Sequence, residues 1–131
     1  FLANILLTKE LKAEMYSFGP FIPHPDTPLA SSGLSSIEGV LKAIALSRIV
    51  DPRAKIVVTT ALETLDKKEG RRLGLLSGAN SLMINVTPKA YRNHYEIYPD
   101  RAGIEREVKT KIKETIDLLY SLGRAPTDLG I

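Results

Sequence analysis

The sequence predicts an α/β protein in which three parallel strands alternate with four helices. Two observations lead to this fold class. Apolar residues recur at helical spacing in four segments, and short apolar runs rich in β-branched residues lie between them. These runs are nearly continuous rather than alternating, which is typical of strands buried on both faces of a parallel sheet. Right-handed crossovers then place the three strands parallel and adjacent, or nearly so.

The helices are predicted at residues 1–13, 36–50, 67–77 and 104–122. The second is the clearest, because its apolar residues fall on one side of a helix. Ser35 with Glu38 three positions later predicts a capping box at its start. The third helix has an equivalent start at Asp66 and Glu69, and Gly78 follows it as a left-handed cap.

The fourth predicted helix has one apolar and one charged side. Its charged side carries the pairs Glu105/Lys109 and Glu107/Lys111, each one turn apart. The helix is expected to end at Gly123. Its apolar side consists of Val108, Ile112, Ile116 and Leu119.

The strands are predicted at residues 15–18, 56–60 and 82–86. The loops that follow them hold the unusual residues of the chain, whereas the opposite loops are plain connectors. Because ligands in α/β proteins bind at the carboxyl ends of strands, the pattern indicates a ligand site at that edge of the sheet. The loops after the strands are residues 19–28, 59–66 and 85–88, the last followed by 91–98.

Length and composition exclude several classes of protein. At 131 residues we expect a single domain, residues 1–131, with a C-terminal helix at 104–124 and a tail at 125–131. The absence of cysteine excludes disulfides, thiolate nucleophiles and cysteine-ligated metal or iron–sulfur sites within the chain. With two histidines, no metal site built from this chain alone is expected. The start at Phe1 rather than methionine suggests a processed or trimmed piece of a longer protein.

The charge pattern and the apolar runs bear on partners and location. The net charge is +3, and basic and acidic residues are interleaved, which favours a solvated surface over nucleic-acid binding. No apolar run approaches the roughly 20 residues that span a bilayer. The first residues lack the basic region of a signal peptide. We therefore expect a cytoplasmic protein with neither a nucleic acid nor a membrane as partner.

Three groups of candidate site residues follow the strands, and each has a structural alternative. Residues 19–29 contain four prolines, so this loop is rigid. His24 lies between two of them, either as a buttress or solvent-exposed side chain or as an acid–base group. The hydroxyls of Thr59 and Thr60 either bind the following turn or contact a ligand. The phenols of Tyr91, Tyr95 and Tyr98, which would share one face of a helix, either pack or line a site.

Several motifs occur in the same order in a known family. They are Gly-Pro-Phe-Ile-Pro-His-Pro-Asp-Thr-Pro-Leu-Ala at 19–30, Thr-Thr-Ala-Leu at 59–62, Gly-Ala-Asn at 78–80, Met83, Asn85, Thr-Pro at 87–88, Tyr-Arg at 91–92, Tyr95, Tyr-Pro at 98–99 and Leu-Gly-Arg at 122–124. With them, the chain resembles the FeFe-hydrogenase maturase HydE family, which belongs to the biotin-synthase-like radical S-adenosylmethionine (SAM) group. The first motif is long and specific, and the match covers nearly all of the chain up to Arg124.

The resemblance implies part of a (β/α)8 barrel. The three strands would be equivalent to strands six to eight, and the chain would overlap the biotin and thiamin synthesis associated (BATS) domain. A full barrel of this type takes about 200 residues or more, so the chain cannot close one. The Cys-x-x-x-Cys-x-x-Cys motif that binds the SAM-cleaving cluster does not occur in this sequence. The resemblance therefore implies SAM and an iron–sulfur cluster in the parent protein, and no cofactor held by this chain alone.

Site residues follow from the resemblance, position by position. Ile22 and Phe21 would contact the cofactor, and no catalytic or metal-binding residue is implied in this chain. The same comparison favours a site role for the tyrosines and an architectural role for His24. The residues implied in the substrate cavity are Met15, Thr59, Thr60, Met83, Tyr95 and Tyr98.

The sequence departs from the family pattern at four places, one of which is the segment 125–130, where the cysteines often found in the family do not occur. Glu63 stands where glycine is usual, Ile84 replaces a proline, and Asp100-Arg101 replaces Gly-Lys. These departures concern the substrate more than the fold, so both a maturase and a paralogue remain open.

Two functions are open at this point. The leading one is a C-terminal segment of a HydE-like radical SAM protein, which lines the SAM and small-molecule substrate cavity and is inactive alone. The alternative is a stand-alone, non-enzymatic binding or oligomerisation module derived from the barrel. A sheet cut from a barrel has two unpaired edges, so we expect either a homo-oligomer or pairing with the missing barrel half.

Overall fold

The computed structural model describes residues 2–95 and 97–127. They fold into two compact units. The sheet unit comprises residues 2–83 and 97–102, and the helical unit comprises residues 84–95 and 103–127. Phe1, Glu96 and residues 128–131, which fall in the predicted first helix, the tyrosine segment and the predicted tail, lie outside the described residues.

The sheet unit confirms the predicted α/β fold class. Its three strands have the order β1-β2-β3, and both neighbouring pairs are parallel. Helices flank the sheet, as the alternating pattern of the sequence predicts. The elements in chain order are α1 (Leu2–Glu10), β1 (Met15–Phe18), α2 (Ile37–Val50), β2 (Lys55–Val58), α3 (Thr60–Leu65), α4 (Gly70–Leu76) and β3 (Ser81–Leu82).

The core of the sheet unit is built from β1, β2 and the inner side of α2. On the sheet, Tyr16, Ile56 and Val58 are at most 2% exposed. Burying a whole isoleucine or valine side chain stabilises the fold by about 1.5–3 kcal/mol relative to leaving it in water. The buried residues of α2 recur at helical spacing, and they are Val40, Ala43, Ile44 and Ser47.

The second and third strands are shorter than predicted. β2 ends at Val58, because Thr59 caps the helix α3 in a segment that is predicted from the sequence as a loop. The Thr59 side chain accepts a hydrogen bond from the Leu62 N–H at 3.3 Å. Threonine hydroxyls compete in this way with strand formation. β3 comprises Ser81–Leu82 alone instead of the predicted residues 82–86.

The predicted capping box before α2 is wrong by one residue. The N-cap is Ser36, whose side chain accepts a hydrogen bond from the Gly39 N–H at 3.3 Å. Ser35 binds Phe21 instead: its Oγ accepts from the Phe21 N–H at 2.9 Å, and its own N–H donates to the Phe21 carbonyl at 3.1 Å. Ser35 therefore closes the proline-rich loop rather than capping the helix.

The helical unit contains a 3₁₀ helix, Lys89–Tyr95, and the long helix α5, Val108–Ser121. Arg92 joins its two stretches of chain and is 4% exposed. Its Nε donates to the Thr87 carbonyl at 2.8 Å, and its Nη1 donates to the carbonyls of Ile104 and Arg106 at 2.8 and 2.5 Å. The planar guanidinium group thus binds three backbone carbonyls at once.

The surface of α5 differs from the predicted one. The helix begins at Val108, so Glu105 precedes it and Glu107 is its N-cap residue. The buried residues of α5 are Lys111 and Thr115, whereas Ile112 is 42% exposed. Glycine at position 103 makes room for Lys111, because an added methyl group there would overlap the lysine ammonium group.

Three helices end in the same hydrogen-bonded turn, the Schellman motif. The residue in the left-handed region is Lys12 after α1, Gly78 after α4 and Gly123 after α5, with φ of 55°, 120° and 67°. The next residue donates its N–H to a carbonyl five positions earlier, in the pairs Ala13–Thr8, Ala79–Gly74 and Arg124–Leu119. The two glycine caps were predicted, and the lysine was not. Across the described residues, no helix has the length and apolar character needed to cross a membrane.

Candidate functional site

The carboxyl ends of the three strands meet at one edge of the sheet. The last residues of the strands are paired, Phe18 with Val58 and Val58 with Leu82. The residues that follow them are Gly19, Thr59 and Met83, and we call this place the strand-end edge. It is the location that the sequence indicates for a ligand site.

The Thr59 hydroxyl at this edge has structural partners. It accepts from the Leu62 N–H, and it lies 3.5 Å from the Phe18 carbonyl, to which it donates. The group therefore links the end of β1 to the first turn of α3. Two roles are open for the Thr59 hydroxyl, a hydrogen bond to the following turn and contact with a ligand. The structure shows the hydrogen bond to the following turn.

Thr60 is different from its neighbour. It is 4% exposed, and its Oγ1 has no hydrogen-bond partner among the described residues. A buried hydroxyl left unpaired costs about 1–3 kcal/mol. Its backbone carbonyl is paired, with the Thr64 hydroxyl at 2.8 Å. Thr60 is therefore a buried group beside the strand-end edge with hydrogen-bonding capacity left.

The proline-rich loop begins at this edge and presents apolar side chains. Phe21 is 43% exposed and Ile22 is half-buried. Both hydrogen bonds between Phe21 and Ser35 fix the backbone here, in addition to the neighbouring prolines. The loop thus holds the two predicted cofactor-contacting residues in a fixed place.

His24 supports the turn in which it lies. Its Nδ1 accepts from the Asp26 N–H at 3.1 Å, and its carbonyl accepts from the Thr27 hydroxyl at 2.9 Å. Because Nδ1 is an acceptor here, the proton of the neutral imidazole is on Nε2. The geometry favours the buttressing interpretation of His24.

The two methionines lie at different places on the sheet. Met83 follows β3 at the strand-end edge, where its N–H donates to the Val58 carbonyl at 3.4 Å, and it is 49% exposed. Met15 begins β1 and is paired with Lys55. Met15 lies three positions before Phe18, which is about 10 Å along a strand. The structure therefore does not bring Met15 to the strand-end edge.

The tyrosines do not share one helical face as predicted. The 3₁₀ helix ends at Tyr95, before Tyr98, and it has three residues per turn, so Tyr91 and Tyr95 point to different sides. Tyr95 lies in the helical unit and is 54% exposed. Tyr98 lies in the sheet unit and is half-buried.

One residue that joins α3 to residues 97–102 was missed in the sequence. The Thr64 hydroxyl donates to the Thr60 carbonyl and accepts from the Ala102 N–H at 2.9 Å. The four-residue spacing of Thr60 and Thr64 is a signal for the first bond. Nothing in the sequence marks Ala102, which lies 38 positions away.

The donor set of this chain does not fit an iron–sulfur cluster. Such clusters take thiolate ligands, and the chain has no cysteine. In the described part of the chain, no three His, Cys, Asp or Glu residues are grouped to hold a metal ion. The apolar side chains of Phe21 and Ile22 are, in contrast, suited to contact a nucleoside.

Comparison with known proteins agrees with the motifs. Residues 17–125 match the Biotin and Thiamin Synthesis associated domain. The FeFe hydrogenase maturase subunit HydE of Thermotoga maritima is 39% identical over 123 residues, which cover 94% of this chain and 35% of HydE. The biotin synthase of Bordetella avium is 30% identical over 97 residues, which cover 74% of this chain and 29% of the synthase.

The chain thus spans about a third of the length of the curated relatives it matches. The similarity extends over most of this chain in both cases, so the resemblance carried by the motifs is confirmed. HydE and biotin synthase are radical SAM proteins, and this chain is homologous to a part of each. The chain belongs to the Biotin and Thiamin Synthesis associated domain family.

Proposed function

We propose that this chain is the C-terminal segment of a HydE-like radical SAM protein and forms part of the wall of its SAM and substrate cavity. The observation that carries the proposal is the strand-end edge, where three parallel strands end in register. Ligands bind at this edge in barrels and open α/β sheets. The 39% identity to HydE over 94% of the chain supports the same reading. The strands would be equivalent to strands six to eight of the barrel.

The residues of the chain then bind and orient rather than react. Phe21 and Ile22 supply apolar contact for the adenosyl group of SAM. Thr60 offers its unpaired hydroxyl to a polar atom of a small-molecule substrate, since that pairing removes the cost of leaving the group buried alone. Met83 and Tyr98 add to the cavity wall. Bound SAM would supply an adenosyl radical, and the cluster that cleaves it would be held by residues outside this chain.

A split-protein reconstitution tests the proposal. The chain is mixed with the part of Thermotoga maritima HydE that precedes the matched region, together with iron, sulfide, SAM and dithionite. We expect 5′-deoxyadenosine from the mixture and none from the chain alone. The C-terminal segment of HydE itself is the positive control. The proposal is wrong if that control restores product and this chain does not, or if the chain produces 5′-deoxyadenosine without a partner.

Two exposed surfaces favour a second candidate, a non-enzymatic association module that pairs with another copy. Among the described residues, β1 has a strand neighbour on one side, and an open strand edge can pair with another chain. The adjacent helix α1 and the residue that follows it expose four leucines by 50% or more of their surface, Leu2, Leu6, Leu7 and Leu11. A large apolar surface of this kind is usually covered by a partner.

Sedimentation separates the two candidates. A module predicts a dimer or larger oligomer at micromolar concentration. Leu6→Glu should reduce this association, and Leu34→Glu, which replaces a leucine outside α1 that is 64% exposed, should leave it unaffected. A cavity-wall segment predicts that the preceding part of HydE displaces any self-association. A monomer at these concentrations excludes the module.

A further inference from the structure

The Thr64 hydroxyl connects two parts of the candidate site in the sheet unit. It donates to the Thr60 carbonyl at 2.8 Å and accepts from the Ala102 N–H at 2.9 Å. From this geometry we infer that Thr64 is a positioning residue, which holds the segment that carries Tyr98 against α3. The role of Tyr98 as a cavity residue rests on the proposed function, whereas the hydrogen-bonded connection between α3 and residues 97–102 does not.

The second of these bonds is one that a helical threonine does not ordinarily make. Bonds from a helical hydroxyl to the carbonyl four residues earlier are ordinary, and Thr8 makes one to Asn4 at 2.7 Å. Thr64 additionally accepts from a backbone N–H that lies 38 positions later in the chain. The bond joins α3 to the segment 97–102, for which the sequence predicts no regular structure.

The connection between Ala102 and Tyr98 is short and stiff. Three residues separate them, and proline at position 99 fixes its own φ. Asp100 lies in the left-handed region with φ of 55°, a conformation with a narrow range. Ala102 itself is 5% exposed. A displacement of the Ala102 backbone is therefore passed to Tyr98 rather than absorbed by a flexible loop.

The test uses the chain as it is, labelled with 13C at the tyrosine rings. Thr64→Val keeps the shape of the side chain and removes both hydrogen bonds. We expect the Ala102 amide to exchange with solvent about tenfold faster, as after the loss of one hydrogen bond. We also expect the ring resonance of Tyr98, assigned with Tyr98→Phe, to shift, while that of the buried Tyr16 stays in place. Thr64→Ser, which keeps the hydroxyl, should restore both values.

Thr8→Val is the matched control, because it removes the ordinary bond to the preceding turn and leaves residues 97–102 untouched. Thr64→Ala is the second variant in case the valine protein does not fold, since a water molecule can reach the Ala102 N–H in the space it leaves. Faster exchange at Ala102 with an unchanged Tyr98 resonance would overturn the inference. So would a Tyr98 shift that Thr64→Ser fails to restore.

The split-protein assay then connects the link to function. We expect Thr64→Val to lower 5′-deoxyadenosine formation, Thr64→Ser to recover it and Thr8→Val to leave it unchanged. If the mixture with the unmodified chain yields no product, the proposed function is wrong. The shift of the Tyr98 resonance still tests the connection through Thr64 in that case. Full product formation with Thr64→Val, together with a shifted Tyr98 resonance, would overturn the positioning role.

Discussion

The hydroxyl of Tyr16 donates a hydrogen bond to Asp51 Oδ2 at 3.3 Å. It links β1 to the residue that ends α2, and Tyr16 is 2% exposed. Burial, together with the Asp51 charge and this hydrogen bond, raises the pKa of Tyr16 above its ordinary value of 10.0. Folding thus favours the protonated phenol over its ionised form.

This relationship predicts a loss of stability in alkali. A tyrosine whose pKa is raised by folding contributes fully below its unfolded pKa of 10.0, and the contribution is lost as the pH rises through its folded pKa. Above pH 10 the unfolded chain releases the proton more readily, so the free energy of unfolding falls. Urea denaturation between pH 7 and 11.5 measures it.

Tyr16→Phe should cost about 0.5–1.5 kcal/mol at pH 7, the net value of one hydrogen bond. Its stability should then fall less steeply above pH 10 than that of the unmodified chain. Tyr91→Phe is the control, because this side chain is 60% exposed. Equal alkaline slopes for Tyr16→Phe and the unmodified chain would contradict the prediction.

Lys12 and Gly123 occupy equivalent positions in two Schellman motifs, and this equivalence predicts effects of opposite sign. A side chain in the left-handed region costs about 1 kcal/mol relative to glycine. Lys12→Gly should therefore stabilise the chain, and Gly123→Ala should destabilise it by a similar amount. An added methyl group at Gly123 meets no atom within 4 Å, so the second variant measures backbone conformation alone. Thermal unfolding gives both shifts, and two shifts of the same sign would be inconsistent with the motif.

Local signals explain what could be predicted of the fold. β1 was predicted with its observed bounds, because an apolar run stops there at a glycine and a proline. α3 was missed, since threonine at position 59 favours a strand by propensity and a helix start by its hydroxyl, and only the tertiary context selects the second. The prediction that the three tyrosines share one helical face is wrong, because the segment Lys89–Tyr95 forms a 3₁₀ helix, which has three residues per turn.

The candidate site was predictable in place but not in detail. The order of strands and helices sufficed to identify the edge that Gly19, Thr59 and Met83 occupy. The partner of Thr64 is 38 residues away and could not be predicted from spacing. At position 100 the structure explains a feature of the sequence. The family pattern has glycine where this chain has Asp100, and the φ of 55° at this residue is one that glycine adopts more easily than other residues.

Gly70 lies where α4 passes close to α3. A larger side chain at this position is therefore expected to clash with α3. A Cβ atom at this position would lie 2.6 Å from the Leu62 carbonyl oxygen, a backbone atom that cannot move aside. Gly70→Ala should therefore destabilise the chain by about 1–3 kcal/mol. Gly39→Ala is the matched control, because the added methyl group in α2 meets one atom at 3.9 Å. It should stabilise the helix by about 0.5–1 kcal/mol, measured by urea denaturation.

The buried Arg92 predicts a local effect in the helical unit. Arg92→Lys keeps the charge but cannot reach the three carbonyls of Thr87, Ile104 and Arg106 together. Leaving buried carbonyls unpaired costs about 1–3 kcal/mol each. Amide exchange in Lys89–Tyr95 and α5 should rise at least tenfold. Arg106→Lys, which alters an exposed pair with Glu114, should change it little. Equal exchange in both variants would contradict a role of Arg92 in holding these backbone carbonyls together.

Thr59 and Thr60 are adjacent threonines for which the structure predicts opposite effects of the same substitution. Thr59→Val removes the N-cap of α3 and should destabilise the chain by about 1 kcal/mol. Thr60→Val replaces a buried hydroxyl without a partner in the described residues by a methyl group, so it should stabilise the chain by about 1 kcal/mol. Urea denaturation of both variants gives the signs, and each serves as the control for the other.

The same pair separates stability from function at the site. If the Thr60 hydroxyl is kept for a substrate atom, then Thr60→Val should lower 5′-deoxyadenosine formation in the split-protein assay while the chain becomes more stable. Such a trade-off is expected where an unpaired buried group is retained for a ligand. A Thr60→Val chain that is more stable and equally active would show that the hydroxyl has no part in binding. A less stable one would show that it has a partner within the protein.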